Sequence, residues 1–486
     1  MKMTAVQRNQ IHDWLQEHRE EMLSDIASLV AIDSARGEEK EGMPYGEGPY
    51  KALCEGEKIL PSRRVMISGS TVQPLPTGTT SKWAMHGNRV ITGEIGPGDE
   101  AELGILAHLD VVPVGNGWTV DPLIMTRRDG KIFGRGVIDD KGPAVMALYA
   151  MRALKECGIA LQKKCRLILG SDEECGSSDI AWYFDRNPVP PKTLSPDASY
   201  PCICIEKGSL KVEASAKWER ETVSPRVVRI DCGVKINVVP GEAEALLEGI
   251  SKEAVEEQAK KETSGVQFTV TREEAGVLVQ AKGATAHASL PETGNNALTA
   301  LLSLLDHLPL AAGRSHDIIH GLCRLFPHGD TCGKAAGVFQ EDEESGALTL
   351  AFSILHMTEE GVLLNMDIRS PMCANETNVR DVLVEKFAAL GLHMEKEPMN
   401  PPHYVSKDSP DVQRLIDIFA AYTGERLPAL AIGGGTYLHH IEGGVSFGCE
   451  FPGYDYNMHG ADEYALEDQL LLSSEMYAAA IYDICG

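Results

Sequence analysis

A histidine and an aspartate stand two residues apart in the motif AHLDVVP. His108 and Asp110 lie at the end of an apolar run that is typical of a buried strand. Because side chains alternate along a strand, both would point to the same face. A histidine that holds a metal commonly donates its second N–H to a carboxylate, so Asp110 would support His108. The alternative is a buried histidine whose neighbour is hydrogen-bonded in a turn.

Adjacent carboxylates in two further motifs follow a turn or a strand and precede a helix. Asp139 and Asp140 lie in GRGVIDDKGP, between a Gly-rich turn and a predicted helix. Asp172, Glu173 and Glu174 lie in ILGSDEECGS, after an apolar strand. Neighbouring carboxylates repel one another unless cations or water offset their charge. Such positions suit metal ligands, but they also suit ordinary capping and the favourable field of a helix N-terminus.

An aspartate and a histidine in later loops extend this set. Asp197 lies in SPDASYP, where an Asx turn is the alternative, and His459 lies in NMHGADE, where a surface histidine is the alternative. With His108, Asp139 and Glu174 they fall at strand-to-loop junctions of one α/β layer, where open α/β sheets carry their sites. Two histidines and three carboxylates suit Zn²⁺, Mn²⁺ or Co²⁺, and they could hold two ions that share one carboxylate.

The elements that must position these residues alternate between strand and helix. Amphipathic spacing predicts one helix over the first ~35 residues and further helices near 142–157 and 177–185. A strand is predicted over 103–114, and Asp129-Gly130 predicts the turn of a short hairpin. Strands that alternate with helices indicate an α/β layer around a mostly parallel central sheet.

The pattern of predicted helices and strands changes after Gly208 and changes back near Glu395. Between these points, strand patterns and amphipathic helices indicate an α+β arrangement with antiparallel strands. A predicted helix and the glycine-rich AIGGGTY follow, and they again fit the α/β pattern of the first part of the chain. We therefore expect a discontinuous first domain of residues 1–208 and 395–486, into which a second domain of residues 209–394 is inserted.

Charge and composition exclude several classes of protein. The 486 residues carry 45 basic and 71 acidic side chains, a formal net charge of −26, so we expect no nucleic-acid partner. No apolar run is long enough to span a membrane, so no membrane partner is expected either. The N-terminus lacks the apolar segment of a signal peptide, and the 12 cysteines form no C-x-x-C pair. We expect reduced thiols and a cytoplasmic location.

Seven ordered motifs resemble those of the co-catalytic metallopeptidases of the aminoacylase and carboxypeptidase G kind (clan MH), and most of all its bacterial dipeptidases. The motifs are HLDVVP, GRGVIDDKGP, SDEECGS, SPDASYPCICIEKG, GATAHASLPETGNNA, IGGGTY and MHGADE. The resemblance is weak between about 61 and 98. It implies a phosphorylase/hydrolase-like catalytic domain with a mostly parallel central sheet. It also implies an inserted α+β lid domain of doubled ferredoxin-like type.

The same resemblance implies two divalent ions, with Zn²⁺ expected and Mn²⁺ or Co²⁺ as alternatives. Asp139 would bridge them, and its peptide bond to Asp140 would be cis. The implied ligands are His108 and Asp197 for one ion, Glu174 and His459 for the other, and Asp139 for both.

Catalytic roles follow from the resemblance in the same way. Glu173 would act as general base toward a hydroxide that bridges the metals, and it would later protonate the leaving amine. Asp110 would orient His108. His287, in the inserted domain, would stabilise the oxyanion, although a turn residue is the alternative.

Four residues are implied to hold the substrate. Asn237 and Arg369 would contribute from the inserted domain, and the guanidinium of Arg369 would bind a substrate carboxylate through two N–H groups. Gly435 and Thr436 would add contacts to the same carboxylate. For Arg369 the alternative is a surface ion pair.

We therefore expect a dipeptidase that hydrolyses dipeptides, and also tripeptides, with a free C-terminal carboxylate. An N-acyl amino acid deacylase or desuccinylase of the same family is the first alternative. A non-catalytic binding protein on the same scaffold is the second, and it would need a broken ligand set or a lost base. The long insert resembles a doubled lid that replaces a partner chain, so we expect a monomer.

Overall fold

The chain divides into two compact units. The computed structural model describes residues 2–59 and 82–486. The first unit comprises Met1–Cys204, His403–Leu430 and Gly435–Gly486, and the second comprises Ile205–Pro402 and Ala431–Gly434. Among the described residues, no helix is both long and apolar enough to cross a bilayer.

The described residues form helices and strands in the following order. The helices are α1 Ala5–Glu17, α2 Arg19–Val30, α3 Glu47–Ile59, α4 Lys141–Glu156, α5 Ser178–Phe184, α6 Lys252–Ala259, α7 Ala297–Asp306, α8 Arg314–Leu325, α9 Asp381–Ala389, α10 Pro410–Thr423 and α11 Glu467–Cys485. The strands are β1 Lys82–His86, β2 Val90–Ile95, β3 Ala101–His108, β4 Thr126–Arg128, β5 Lys131–Phe133, β6 Lys164–Gly170, β7 Lys192–Ser195, β8 Ile203–Glu206, β9 Gly208–Lys217, β10 Arg226–Cys232, β11 Val238–Val239, β12 Glu242–Glu248, β13 Gln267–Glu273, β14 Gly276–Lys282, β15 Ala286–His287, β16 Glu341–Asp342, β17 Gly346–Ala347, β18 Thr349–Thr358, β19 Gly361–Ser370, β20 His393–Met394, β21 His403–Tyr404, β22 Leu430–Ile432, β23 Val445–Ser446 and β24 Tyr464–Leu466.

The large sheet of the first unit has a parallel centre and antiparallel edges. Its strand order is β1-β2-β6-β3-β7-β23-β8-β21, and β22 pairs with β8. The pairs β3–β6, β3–β7 and β7–β23 are parallel, whereas β1–β2, β2–β6 and β23–β8 are antiparallel. The central strands are buried along most of their length, as expected for parallel strands covered on both faces. Helix α4 is buried almost throughout and packs against α11.

The second unit is built on an antiparallel sheet of eight strands. The order is β13-β14-β12-β10-β18-β19-β9-β20, and helices α6 to α9 contribute to one continuous hydrophobic core with it. Strands β18 and β19 form a long antiparallel hairpin in this sheet. The predicted fold class, a mixed α/β unit together with an α+β unit, is confirmed.

Two predicted boundaries are wrong. The single helix expected over the first ~35 residues is two helices, α1 and α2, because the backbone leaves helical geometry at His18. The His18 ring stacks on Trp14 and its Nδ1 lies 2.8 Å from the Trp14 carbonyl oxygen. The strand expected over 103–114 ends at His108, whose backbone N–H donates to the Asp140 carboxylate instead of to a neighbouring strand.

The short hairpin of the first unit has the predicted turn. Strands β4 and β5 pair through Arg128 and Lys131, and Asp129 and Gly130 both have positive φ, 53° and 72°. Two consecutive left-handed residues make the type I′ turn, which Asp-Gly favours. The Asp139–Asp140 peptide is cis, as the resemblance implies.

Candidate metal centre and substrate site

His108 lies at the end of β3 between two carboxylates. Its Nε2 is 3.1 Å from Asp139 Oδ1 and 3.6 Å from Asp197 Oδ2. Asp197 follows β7, and Asp139 precedes Asp140, the N-cap residue of α4. The ends of neighbouring strands meet at one edge of the sheet, so residues distant in sequence converge there.

A second histidine lies on the other side of Asp139. His459 Nε2 is 2.7 Å from Asp139 Oδ2 and 3.3 Å from Glu174 Oε1. Glu174 lies in a short 3₁₀ helix, Glu173–Cys175, directly after β6. The two oxygens of Asp139 therefore face one imidazole each, which is the geometry expected of a bridging carboxylate.

Six residues of the first unit thus converge, and each of them was singled out from the sequence. The possible ligand atoms form two sets whose members lie within 4.8 Å of one another: His108, Asp139 and Glu174 in one, and His108, Glu173 and Asp197 in the other. Glu173 is within reach of the same ion as Asp197. Distance alone therefore does not separate a ligand role for Glu173 from a proton-transfer role.

Asp110 supports the centre in a different way from that expected. His108 Nδ1 lies 3.0 Å from the backbone carbonyl of Asp110 and 3.5 Å from its carboxylate. The carboxylate instead accepts the backbone N–H groups of Glu173, at 3.2 Å, and of Glu174, at 3.1 Å. The Asp110 carboxylate therefore faces both the imidazole of His108 and the 3₁₀ helix. It connects the histidine to the segment that carries both glutamates.

The electrostatics of the cluster are those of ligands that need a cation. Burial opposes charge on His108, but Asp110, Asp139 and Asp197 outweigh it and raise the pKa of the imidazole well above its ordinary value. Burial likewise opposes charge on His459, yet the carboxylates of Asp139 and Glu174 that face its ring raise its pKa to about 11.

Three carboxyl groups shift in the opposite sense to Asp139. Burial, followed by the charges of neighbouring carboxylates, raises the pKa values of Glu174 and Asp197. Burial raises the pKa of Glu173 well above its usual range, despite the opposing charge of His108. Burial acts the same way on Asp139, but its two histidine partners hold its pKa well below the usual range.

Two buried atoms of the cluster make ion-pair contacts but no hydrogen bond of suitable geometry among the described residues. They are Nε2 of His108 and Oε1 of Glu174, and buried polar atoms of this kind are rare in folded proteins. Imidazole and carboxylate donors without thiolate suit borderline and hard divalent ions. The residues present therefore fit a divalent metal centre.

Two residues that the sequence reasoning missed hold the end of β6. Asp179, in the first turn of α5, accepts the N–H groups of Ser171 and Asp172, and Tyr437 donates its hydroxyl to the same oxygen at 2.5 Å. The Tyr437 ring also lies edge-on to His108, with centroids 6.1 Å apart. Burial raises the pKa of Asp179 to about 7. The sequence signal that could have identified Asp179 is a charged residue on an otherwise apolar face of a predicted helix.

In the second unit, the predicted oxyanion residue His287 and the predicted substrate residue Asn237 lie close together. The short ladder β11–β15 pairs Val238 with His287, and the backbone N–H of Ala288 donates to the carbonyl of Asn237 at 2.9 Å. The N–H of Ser289 donates to His287 Nδ1 at 3.2 Å. Since Nδ1 accepts a hydrogen bond, the neutral ring carries its proton on Nε2, which is then a donor.

Arg369 is held by its own strand. Its Nε and Nη2 donate to the two oxygens of Asp367, at 2.6 Å and 3.0 Å, and its Nη1 donates to the carbonyl of Gly433 at 2.9 Å. Asp367 is buried, whereas Arg369 keeps 17% of its side chain exposed. Three of the five guanidinium N–H groups are thus engaged within this unit, and the outer edge remains available to a ligand.

Gly435 and Thr436 lie in the first unit, directly before a short 3₁₀ helix, Tyr437–His440. Gly435 is exposed and Thr436 is buried. The Thr436 hydroxyl caps this helix by accepting the N–H of Leu438 at 3.2 Å. The structure therefore gives Thr436 a capping contact in addition to any role with substrate.

Comparison with known proteins agrees with this arrangement. Residues 104–483 match the model of the family described as Peptidase family M20/M25/M40. The chain belongs to this family. It is therefore a hydrolase that acts on peptide bonds, and its motifs belong to a metallopeptidase.

Two curated relatives are similar over almost the whole chain. The Beta-Ala-Xaa dipeptidase of Lactobacillus delbrueckii subsp. lactis is 34% identical, with 96% of each chain covered. The putative dipeptidase YtjP of Bacillus subtilis (strain 168) is 32% identical, covering 96% of this chain and 97% of that protein.

Solved structures share the fold at much lower identity. Human carnosine dipeptidase 1 has a TM-score of 0.59 at 14% identity, covering 100% of this chain and 99% of that one. The aminoacylhistidine dipeptidase of Vibrio alginolyticus has a TM-score of 0.52 at 14% identity, covering 96% of each chain.

Proposed function

We propose that this peptidase is a metal-dependent dipeptidase that cleaves dipeptides, and also tripeptides, with a free C-terminal carboxylate. The observation that carries the proposal is the cluster in which the buried Asp139 lies between His108 and His459. The names of the relatives also support it, since the Lactobacillus relative is a Beta-Ala-Xaa dipeptidase. We include β-alanyl dipeptides among the substrates for that reason.

Five side chains would hold two divalent ions, with Zn²⁺ expected and Mn²⁺ or Co²⁺ as alternatives. Bound there, the ions would lower the pKa of the attacking water and polarise the scissile carbonyl. The ligand assignment is His108 and Asp197 for one ion, Glu174 and His459 for the other, and Asp139 for both.

Glu173 is the general base in this proposal. Its backbone is fixed by the Asp110 carboxylate, and its side chain lies in the same cluster as His108 and Asp197. A carboxylate at this position can take a proton from the attacking water and later pass it to the departing amine. Asp110 orients both the base and His108.

His287 would stabilise the oxyanion that forms at the scissile carbonyl. Its Nδ1 accepts the Ser289 N–H, so Nε2 presents a hydrogen-bond donor. A donor held in place before the reaction stabilises developing negative charge more than a mobile one does. Asn237 lies next to it on the β11–β15 ladder and would add a polar contact.

Arg369 would bind the substrate's C-terminal carboxylate through its outer edge. Asp367 and Gly433 hold the guanidinium in one orientation, so less side-chain entropy is lost when a ligand binds. Gly435 and Thr436 would contribute backbone and hydroxyl contacts to the same group.

The remaining parts of the proposal concern organisation. Residues 209–394 would form a lid domain inserted into the catalytic domain of residues 1–208 and 395–486. The chain would act as a monomer, because its long insert replaces the surface that a partner chain would supply. Its location would be the cytoplasm.

A substrate panel tests the proposal. The chelated protein would be assayed with Ala-Ala, Leu-Leu, carnosine, N-acetyl-methionine and N-succinyl-diaminopimelate after return of Zn²⁺, Mn²⁺ or Co²⁺. We expect cleavage of the free dipeptides only. Cleavage of only the acylated compounds would assign a deacylase instead, and inactivity toward all five with metal bound would favour a binding protein.

A further inference from the structure

A buried ion pair lies behind the metal centre and takes no part in the chemistry described above. Arg135 and Glu463 are 1% and 0% exposed, and their Nη1 and Oε2 atoms are 2.5 Å apart. Removing two charges from water is costly unless further hydrogen bonds satisfy both groups. The further contacts of this pair therefore indicate what it does.

The second carboxylate oxygen of Glu463 accepts hydrogen bonds from the backbone segment that ends at Asp139. Oε1 accepts the N–H groups of Gly136 at 3.0 Å, Ile138 at 3.1 Å and Asp139 at 3.4 Å. Three N–H groups on one oxygen hold residues 136–139 in a compact turn. The direction in which the Asp139 side chain leaves this turn is set by that arrangement.

The guanidinium of Arg135 makes hydrogen bonds to the segment that contains His459. Its Nη2 donates to the carbonyl of Gly460, directly after His459, at 3.0 Å, and to that of Val114 at 3.3 Å. The segment around His459 needs such support, because Asn457, His459 and Asp462 all have positive φ, which is unfavourable for residues with a side chain.

We propose that Arg135 and Glu463 are positioning residues that fix Asp139 relative to His459, and thereby determine how tightly the ion between these two ligands is bound. The inference rests on the proposed function, since it presumes a metal at that place. Neither residue touches the reacting atoms. The pair joins the two segments, 136–139 and 459–460, whose ligands meet at Asp139.

The chain offers a matched control pair in the same unit. Glu94, on β2, is also buried and receives hydrogen bonds from Arg166 at 2.7 Å and from Lys164 at 2.9 Å. It contacts none of the metal-binding segments through these bonds. Glu94→Gln should therefore lower the thermal stability of the protein without changing its affinity for metal.

The test is a Co²⁺ titration of the chelated full-length protein, followed by visible absorption and by competition with a chelator. We expect Glu463→Gln to raise one of the two Co²⁺ dissociation constants about 10- to 100-fold, the usual effect of losing an outer partner of a metal ligand. Arg135→Lys should act in the same direction, since lysine keeps the charge but cannot reach Glu463 and Gly460 together. The Arg135→Lys variant also tests the proposal if Glu463→Gln does not fold.

Three outcomes would overturn the proposal or its basis, and they are distinguishable. If either variant is less stable, like Glu94→Gln, but binds Co²⁺ as the unmodified protein does, the pair is merely structural. If Glu94→Gln weakens Co²⁺ binding equally, the effect is not specific to this pair. If the unmodified protein binds no Co²⁺, the proposed function itself fails, and the positioning proposal fails with it.

Discussion

The metal cluster of the first unit and the substrate residues of the second unit are built differently. His108, Asp139 and Glu174 are largely buried near the ends of strands, and the backbone N–H group of each donates to a buried carboxylate. His287 is exposed on a two-residue strand, and Arg369 is half-buried on a long hairpin. A rigid, desolvated centre suits ions that must be held at fixed distances, whereas partly exposed side chains suit a ligand that enters and leaves. Variants in the two units should therefore fail in different ways.

The largest expected effect comes from the base in the first unit. We predict that Glu173→Ala lowers kcat by about 10²–10⁴-fold, because a positioned general base is lost. The metal content should stay that of the unmodified protein, since five other ligands remain. Dipeptide turnover together with metal analysis by atomic absorption measures both. Near-normal turnover would remove Glu173 from the base role, and loss of one ion would make it a ligand.

Next in size is the oxyanion donor of the second unit. We predict that His287→Ala lowers kcat about 10²–10³-fold, with metal content and thermal stability unchanged, because a side chain on an exposed loop contributes little to folding. Steady-state kinetics and thermal unfolding of the same preparation test this. A main effect on KM would instead indicate a binding role.

Arg369 should give a smaller effect that depends on the substrate. Arg369→Ala should raise KM for dipeptides about 10- to 100-fold, since a charge-assisted hydrogen bond contributes roughly 1.5–3 kcal/mol. The same variant should change little for C-terminally amidated dipeptides. Asp367→Asn should shift KM in the same direction by less. Equal effects of Arg369→Ala on free and amidated substrates would exclude carboxylate recognition.

The smallest effect sharpens the contrast within the first unit. Glu94 has cations of its own: burial opposes its charge, but Lys164 and Arg166 hold its pKa below the usual value. A carboxyl group whose pKa is lower in the folded state stabilises the protein at pH values above its unfolded-state pKa of ~4.3. This stabilisation is lost as the pH falls through the folded-state pKa. Glu94→Gln should therefore lower stability by about 2 kcal/mol at pH 7.

This difference should shrink below about pH 4, where the carboxyl group of the unmodified protein also takes up a proton. Urea unfolding of both proteins between pH 7 and pH 3 measures it. A difference that stays constant with pH would show that the ion pairs of Glu94 do not stabilise the protein.

The fold class and the convergence of the predicted ligand residues could be predicted from the sequence. His108, Glu174 and Asp197 follow strands of one parallel sheet, and the carboxyl ends of such strands meet at one edge, so these residues are expected to lie close together. The predicted hairpins and most helices follow from turn residues and periodicity. These are local or topological signals.

Contacts between distant residues could not be predicted in the same way. The Asp110 carboxylate bonds to the Glu173 backbone, and Glu463 bonds to residues 136–139, because the chain places those segments next to each other in space. At the break between the first two helices, the His18 ring and the His18 backbone N–H both contact the Trp14 carbonyl. Neither periodicity nor composition reports such pairings.

The most direct test of a metal-dependent dipeptidase is to count ions and turnover together. The protein would be stripped with a chelator and titrated with Zn²⁺, Mn²⁺ or Co²⁺, while Ala-Ala hydrolysis and bound metal per chain are measured on the same samples. We predict no hydrolysis without metal and full hydrolysis when two ions are bound per chain. Full activity of the metal-free protein, or two bound ions with no hydrolysis of any dipeptide, would contradict the account.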